Sequence, residues 1–442
     1  MIRSNQSYDR LLDDLNHIDG TVLTPLPHCV APFKSLTIDP NGDVFPDSVY
    51  KKPLGNLHKN SLKEIWDSEQ WKQLRQDQLT RTLNPGCISC AKKEEYAGHS
   101  RRRFFDTFFM YRLPNDQLEA ITDKNGYNLS MRPKVEDYDN PNFLYLDIST
   151  SNKCNLKCIH CRGAVSTGWI ADEKKLSQTK VAELRSSRWG VYTLDEQLIG
   201  KIFEFPQYFE GLRYVALRGG EPTYEQRNKL ILQKLIDLGW HKQITIDIST
   251  NATVNDDEFL NLLDQFQSVM LYISIEGVGP MYDYCRGGKQ YKINDLEKMI
   301  IKYANLKNIE ICITFTTMAT NVFNIKDTWE WMQKYKDYCT FSFSNTVSEP
   351  LYLSFACLND KMRHKAYVMI ENIWEDLNWP GEFSRTYQPG LDRIKENLLK
   401  PQDPNWKENF SDFKLYIKTL DQIRQTNFLE VEPIFQDFWE EV

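Results

Sequence analysis

The chain has 442 residues, 41% hydrophobic, 13% aromatic and 26% charged, with 20 Gly and 19 Pro. This composition supports a packed core and excludes a disordered, collagenous or linker-dominated polypeptide. Lys and Arg number 54 against 61 Asp and Glu, a net charge of -7, so nothing global draws the chain to nucleic acid or anionic lipid. No stretch approaches the roughly 18 apolar residues of a membrane span, and the start lacks the basic and apolar regions of a signal peptide. No membrane association and a cytoplasmic location are expected.

After an N-terminal segment, residues 1–20, a small α+β region is expected over residues 21–110. SLTIDPNGDVFP reads as a hairpin around Pro40, Asn41 and Gly42. SLKEIWDSEQWKQLRQDQL reads as one amphipathic helix, with Ser61 as N-cap and Glu64 three residues later completing a capping box. Trp66 and Trp71 are five apart on that helix, so only one need face the core fully. NPGCISC is a turn carrying Cys87 and Cys90. Arg101, Arg102 and Arg103 read as a solvated helix face, with a phosphate or an acidic leader peptide as the alternative contact. Residues 111–142, with LPNDQ, DKNGYN and DYDNPN, read as a connector.

From residue 143 to 355, β-branched and aromatic runs alternate with stretches of helical length. Strands are expected at 143–149, 214–218, 244–250, 269–275, 309–316 and 340–345, and helices near 195–205, 223–238, 255–266, 292–305 and 324–337. Such alternation implies parallel strands joined by crossover helices, in an open doubly wound sheet or a barrel. Six units favour a partial (β/α)6 TIM-like barrel, giving an α/β fold class. Residues 356–442 read as a helical C-terminal extension.

Ten cysteines in a reducing compartment point to metal sites, catalysis or plain burial rather than disulfides. Six of them fall in two groups. Cys154, Cys158 and Cys161 lie in SNKCNLKCIHC, directly after the first strand of the alternating region. Three thiolates on one short loop can hold three corners of a cubane iron-sulfur cluster and leave one iron open. Zinc is the rival metal, although structural zinc usually takes four closed ligands.

The spacing C-x3-C-x2-C after the first strand of a partial barrel resembles the signature of radical S-adenosylmethionine (SAM) enzymes. The resemblance implies a [4Fe-4S] cluster on the three cysteines whose open iron chelates SAM, reductive cleavage of SAM to a 5'-deoxyadenosyl radical, and hydrogen abstraction from a substrate. An electron donor such as flavodoxin or ferredoxin is implied with it. Further polar groups fall at strand ends, where a barrel gathers its catalytic residues. Gly219, Gly220 and Glu221 resemble the family's glycine-rich motif, with Glu221 an acceptor for the SAM ammonium. The resemblance assigns Ser249, Asn251, Ser274 and Glu276 to ribose or carboxylate contacts and Arg286 to the SAM carboxylate. Glu276 stands where the family often has Asp, and His160 stands where an aromatic usually lies beside the adenine. Cys285 would be a hydrogen donor to the substrate radical, against the simpler reading of a buried strand-top cysteine. Cys312, Cys339 and Cys357 read as core.

Cys29, Cys87 and Cys90 precede the barrel, and the segments around them resemble a SPASM or twitch auxiliary iron-sulfur module. In that module a cysteine commonly follows the hairpin, where this chain has Asp47. Asp47 is then an oxygen ligand of a second auxiliary cluster, or the fourth iron is open to substrate, or the site is a zinc knuckle or a cluster-free remnant. The module usually follows the barrel; here it comes first. The resemblance implies a ribosomally made peptide or a protein side chain as substrate, with epimerisation, crosslinking or another oxidation as outcome. The rival readings are radical modification of a small molecule, nucleotide or nucleic acid, the last disfavoured by the acidic charge, and a metal-binding module that acts by interaction alone.

Overall fold

The computed structural model describes residues 29–91, 100–106, 136–185, 189–287, 291–376 and 382–440. The N-terminal segment and most of the connector, including LPNDQ and DKNGYN, lie outside the described residues. The chain forms two compact units, one of Met1–Ser151, Thr193–Arg218 and Leu230–Ile246, the other of Asn152–Tyr192, Gly219–Lys229 and Asp247–Val442.

In the first unit, β1 (Ser35–Ile38) and β2 (Asp43–Phe45) pair antiparallel. The turn between them holds Gly42 at φ +77°, a left-handed conformation that glycine adopts without strain. A short β3 (Gly55–Asn56) pairs with β2. The other edge of β1 runs parallel to β4 (Tyr145–Ser149), in register from Ser35 opposite Tyr145 to Ile38 opposite Ile148. β4 pairs in parallel with β5 (Tyr214–Arg218), so the order is β3-β2-β1-β4-β5. The hairpin next to Cys29 and the strand that leads into the three-cysteine loop therefore share one sheet.

The helix expected after Ser61 is two helices, α1 (Leu62–Trp66) and α2 (Glu69–Leu79). Ser61 and Glu64 form the capping box as expected. The break comes from a second cap: Ser68 Oγ accepts the Trp71 N–H at 3.3 Å, and this side-chain bond competes with helix continuation. The break changes the helical phase, so Trp66 and Trp71 both face the core, 1% and 0% exposed, with ring centroids 5.6 Å apart. The expectation that only one would do so assumed an unbroken helix. The triple-arginine run opens α3 (Arg101–Asp106), and Arg101 is not a solvated residue; it packs over the rings of Phe104, Phe105 and Tyr145.

β6 (Thr245–Thr250) begins in the first unit and ends in the second. In the second unit β7 (Ser268–Ile275), β8 (Ile309–Thr317) and β9 (Thr340–Thr346) pair in parallel in that order. Their alternating burial packs one face into the core and leaves the other, with Tyr272 and Ser274, half-open. Helices Asp257–Leu263, Ile293–Ala304 and Ile325–Met332 connect them. Among the described residues the sheet is open and no closed barrel forms. Cys339 and Cys357 are buried, and Cys312 is half-buried on β8.

Three further helices of the second unit bear on the site: α4 (Ile170–Leu176), α5 (Pro280–Arg286) and, in the helical tail, α6 (Trp406–Arg424). Phe413 of α6 packs against Phe428, Phe435 and Trp439, with centroids 5.4 to 6.1 Å apart. No described helix is long and apolar enough to cross a membrane.

Candidate active site and auxiliary iron-sulfur site

The loop carrying Cys154, Cys158 and Cys161 has little regular structure, and its main chain is held mostly by side chains. Asn152 Nδ2 donates to the carbonyls of Gly163, Ala164 and Gly190, while its Oδ1 accepts the Tyr192 N–H at 2.9 Å. Thr167 Oγ1 accepts the Cys154 N–H at 3.1 Å, Ser166 Oγ donates to Leu156 O at 2.8 Å, and Trp169 Nε1 donates to Cys158 O at 2.8 Å. Two main-chain bonds tie the loop to α5: Ile159 N to Cys285 O at 2.7 Å and Lys157 N to Arg286 O at 3.4 Å. Asn152, Thr167 and Trp169 carried no signal of this role in the sequence, because a side chain that holds a carbonyl leaves no spacing pattern.

Burial pushes the Cys154 thiol up to about 11, with Cys158 and Glu221 adding. Cys161 is raised well above the usual thiol range by its hydrogen bond with Cys158 and by burial. The Cys158 thiol is drawn down by that same bond against the cost of burial, helped by the positive charges of Arg286 and Arg424. A bound metal would deprotonate the raised thiols outright. Three thiols on one loop suit a multi-iron cluster, which takes its thiolates at separate corners.

Beyond the loop, Arg286 Nη1 donates to Glu276 Oε2 at 2.7 Å, with both side chains at most 5% exposed. Glu276 Oε1, Arg286 Nε and His160 Nδ1 are buried and have no hydrogen-bond partner among the described residues. Burial lowers the His160 pKa, so the imidazole is neutral near pH 7. Unpartnered buried polar atoms cost about 1–3 kcal/mol each. An acceptor, a donor and an imidazole nitrogen left in this way suit a polar ligand with hydroxyl and carboxylate groups, as SAM has.

Gly219 sits at φ +117°. A Cβ on Gly220 would fall 2.3 Å from Lys153 O and 2.6 Å from Asn152 C, so the glycine makes room for the main chain that enters the cysteine loop. Glu221 N donates to Lys153 O at 2.8 Å. The buried Glu221 carboxylate accepts from Thr250 Oγ1 (2.6 Å), Asn251 N (2.6 Å), Thr223 N (3.1 Å) and Thr223 Oγ1 (2.7 Å), which braces this turn against the end of β6. Asn251 Nδ2 donates to Asn155 Oδ1 at 2.9 Å and lies 3.8 Å from Cys154 Sγ. Ser249 is exposed and Ser274 half-buried. Cys285 is fully buried, its Sγ 3.5 Å from Met281 Sδ and 4.0 Å from Thr320 Oγ1.

In the first unit, Cys29, Cys87, Cys90, Asp47 and Arg101 line one pocket. Asp47 is buried; its Oδ2 accepts from Arg101 Nε at 2.8 Å and its Oδ1 accepts the Val49 N–H at 3.0 Å. Burial pushes Cys87 up to about 12 and Cys29 well above the usual thiol range, with the neighbouring cysteines adding in each case. Three thiols beside an acid and a base suit a second cluster better than a dry apolar core. Arg101 was read as solvent-facing; its pairing with Asp47, 54 residues away, is a tertiary contact that a charge run does not announce.

A family model for an iron-sulfur cluster-binding domain, SPASM, matches residues 29–91, and one for the radical SAM superfamily matches residues 148–335. The first match implies an auxiliary iron-sulfur cluster, and the second implies a [4Fe-4S] cluster that takes SAM. Residues 148–335 thus match a radical SAM domain, and the SPASM match lies ahead of it in the chain. It is similar to native anSMEcpe with bound AdoMet (17% identity, TM-score 0.39, covering 53% of this chain and 60% of that chain). It is also similar to Streptococcus suis SuiB bound to precursor peptide SuiA (16%, TM-score 0.32, covering 68% and 62%). A third similar structure is the Kitasatospora setae radical SAM methyltransferase TsrM (11%, TM-score 0.33, covering 48% and 37%). The chain spans about three fifths of the length of the first of these. No curated protein matches it.

Proposed function

We propose that this chain cleaves SAM reductively and abstracts hydrogen from a ribosomally made peptide or a protein side chain. The supporting observation is the gathering, in one unit, of the three-cysteine loop and the buried Arg286–Glu276 pair with polar atoms still open. When bound, the cluster supplies the electron for SAM cleavage. Cys154, Cys158 and Cys161 hold it, and Asn251 directs an amide N–H at Cys154 Sγ. Arg286 takes the SAM carboxylate, Glu276 Oε1 accepts from a ribose hydroxyl, and neutral His160 borders the adenine. Glu221, with the glycines before it, keeps the turn in place and uses its remaining lone pair for the SAM ammonium; Ser249 and Ser274 complete the polar edge.

In the first unit Cys29, Cys87 and Cys90 hold the auxiliary cluster, with Asp47 at its fourth corner under the control of Arg101. Cys285 is the proposed hydrogen donor: burial pushes its thiol up, so it keeps its hydrogen at neutral pH. The auxiliary domain of SPASM type favours a peptide or protein substrate over a nucleic acid, as does the net charge of -7. A flavodoxin- or ferredoxin-like donor would supply the electron.

The test is anaerobic incubation of the iron-loaded enzyme with SAM and a reductant, reading 5'-deoxyadenosine with and without candidate peptides. Product formed by the parent, abolished by Cys158→Ala and stimulated by a peptide, supports the reading. Product formed by Cys158→Ala at the parental rate contradicts it. Stimulation by RNA or a small metabolite, with none by peptide, would transfer the activity to another substrate class.

A further inference from the structure

The helical tail takes no part in the chemistry above, yet α6 reaches the cysteine loop. Tyr416 Oη donates to Ile159 O at 2.8 Å, and Arg424 Nη2 donates to Lys157 O at 2.7 Å. These two carbonyls belong to the residues on either side of Cys158. Arg424 is held in turn by Asp172 of α4, Nε to Oδ2 at 2.8 Å, and its guanidinium lies 4.5 Å from the Trp169 ring, the same tryptophan that donates to Cys158 O.

The contact is built from buried ions. Lys157 Nζ lies 3.1 Å from Asp172 Oδ1, so Lys157 and Arg424 share one carboxylate beside the loop. The neighbouring pair Arg185–Glu173, at 2.9 Å, is neutral, and Arg185 bonds both Tyr416 Oη, at 3.3 Å, and the Cys161 carbonyl. Arg424 and Asp172 are each 5% exposed, so the charge of Arg424 acts on the loop through a poorly screening interior. An apolar seam would dock the helix without the desolvation cost of these buried ions. Their placement on loop carbonyls suggests a second role.

We infer that Tyr416 and Arg424 are positioning residues for the iron-sulfur cluster of the three-cysteine loop: both fix the main chain flanking Cys158, and Arg424 makes the cluster easier to reduce by placing a buried positive charge beside it. The potential of such a cluster responds to local charge and hydrogen bonding. This inference rests on the proposal that Cys154, Cys158 and Cys161 hold the SAM cluster.

The test compares the full iron-loaded chain with Arg424→Gln, Arg424→Lys and Tyr416→Phe, measuring iron and sulfide content and the midpoint potential. The loop's cluster is identified by the change its EPR signal undergoes on adding SAM. Arg424→Gln is expected to keep its iron and shift to a more negative potential, while Arg424→Lys, which keeps the charge, stays near the parent. Arg424→Gln at full iron content with the parental potential overturns the inference. If that variant does not load iron, Tyr416→Phe decides, since it keeps the ring packed on Tyr352. Faster iron release to a chelator supports the positioning role, and release at the parental rate overturns it. A parent without a SAM-responsive cluster would overturn the underlying assignment, which its own iron and EPR data would show before any variant is compared.

Discussion

Arg286 Nη1 donates to Glu276 Oε2 at 2.7 Å in a buried setting, yet Arg286 Nε and Glu276 Oε1 remain without partners among the described residues. The pair takes one carboxylate oxygen and one guanidinium nitrogen, and Glu276 Oε1 and Arg286 Nε are left for a ligand. Glu276→Ala strands the arginine as a buried charge, and a broken buried pair costs about 3–5 kcal/mol. Glu276→Gln keeps the shape and can still accept from Arg286, so it should fold. Its SAM affinity should fall about tenfold or more, since one lost hydrogen bond to a charged group is worth about 1.5–3 kcal/mol. Anaerobic calorimetry with SAM checks this; parental affinity in Glu276→Gln would remove Glu276 from the binding site.

Gly220→Ala should damage iron binding rather than the fold as a whole. The added methyl meets backbone atoms of Asn152 and Lys153 at 2.3 to 2.6 Å, which cannot swing away as a side chain would. Overpacking of this kind costs about 1–3 kcal/mol, and the strain falls at the entry to the Cys154 loop. Iron per chain after reconstitution should drop for the loop's cluster while the auxiliary cluster stays. Full iron content in Gly220→Ala would show that the loop tolerates the displacement.

The tail carries a pH effect of defined sign. Burial pushes the Glu432 carboxyl up to about 7, Asp327 adds to the shift, and the Ile434 N–H and Lys365 oppose it. A folded-state pKa above the unfolded value of 4.5 means that the native protein holds a proton the unfolded chain has released. This group's contribution to stability is full below about pH 4.5 and is lost as pH rises through about 7. Glu432→Gln should flatten that part of the profile and be more stable than the parent at pH 8, as read by urea midpoints at pH 5 and pH 8. An unchanged difference between the two midpoints would contradict the assignment.

What could be read in the sequence follows from physical range. The strands β4 to β9 fall within two residues of their expected limits because each is a short apolar or alternating run, and the period of two is a local property. The cysteine loop was legible for the same reason: its three donors lie within eight residues of one another. The clasp by Tyr416 and Arg424 was not, since its partners are 257 and 267 residues away and are main-chain carbonyls, which every residue possesses. The break between α1 and α2 lies between these cases. Ser68 is a good cap that sits mid-run, and only the packing of both tryptophans decides that it acts as one.

The two cysteine groups should be separable. They belong to different units, and Cys29, Cys87 and Cys90 line a pocket of their own. Cys87→Ala should lose the auxiliary iron and keep reductant-dependent cleavage of SAM to 5'-deoxyadenosine, whereas turnover of the proposed peptide substrate should fail. Loss of SAM cleavage in Cys87→Ala at parental iron content in the Cys154 loop would mean that the auxiliary site takes part in the first electron transfer.

The central claim is that two groups of three cysteines each hold a four-iron cluster. Its most direct measurement is iron and acid-labile sulfide per chain after anaerobic purification, for the parent, Cys158→Ala and Cys87→Ala. The account predicts about eight irons with matching sulfide in the parent and about four in each variant, as two cubanes require. Stoichiometric zinc without sulfide, or iron that does not fall in Cys158→Ala, would contradict it.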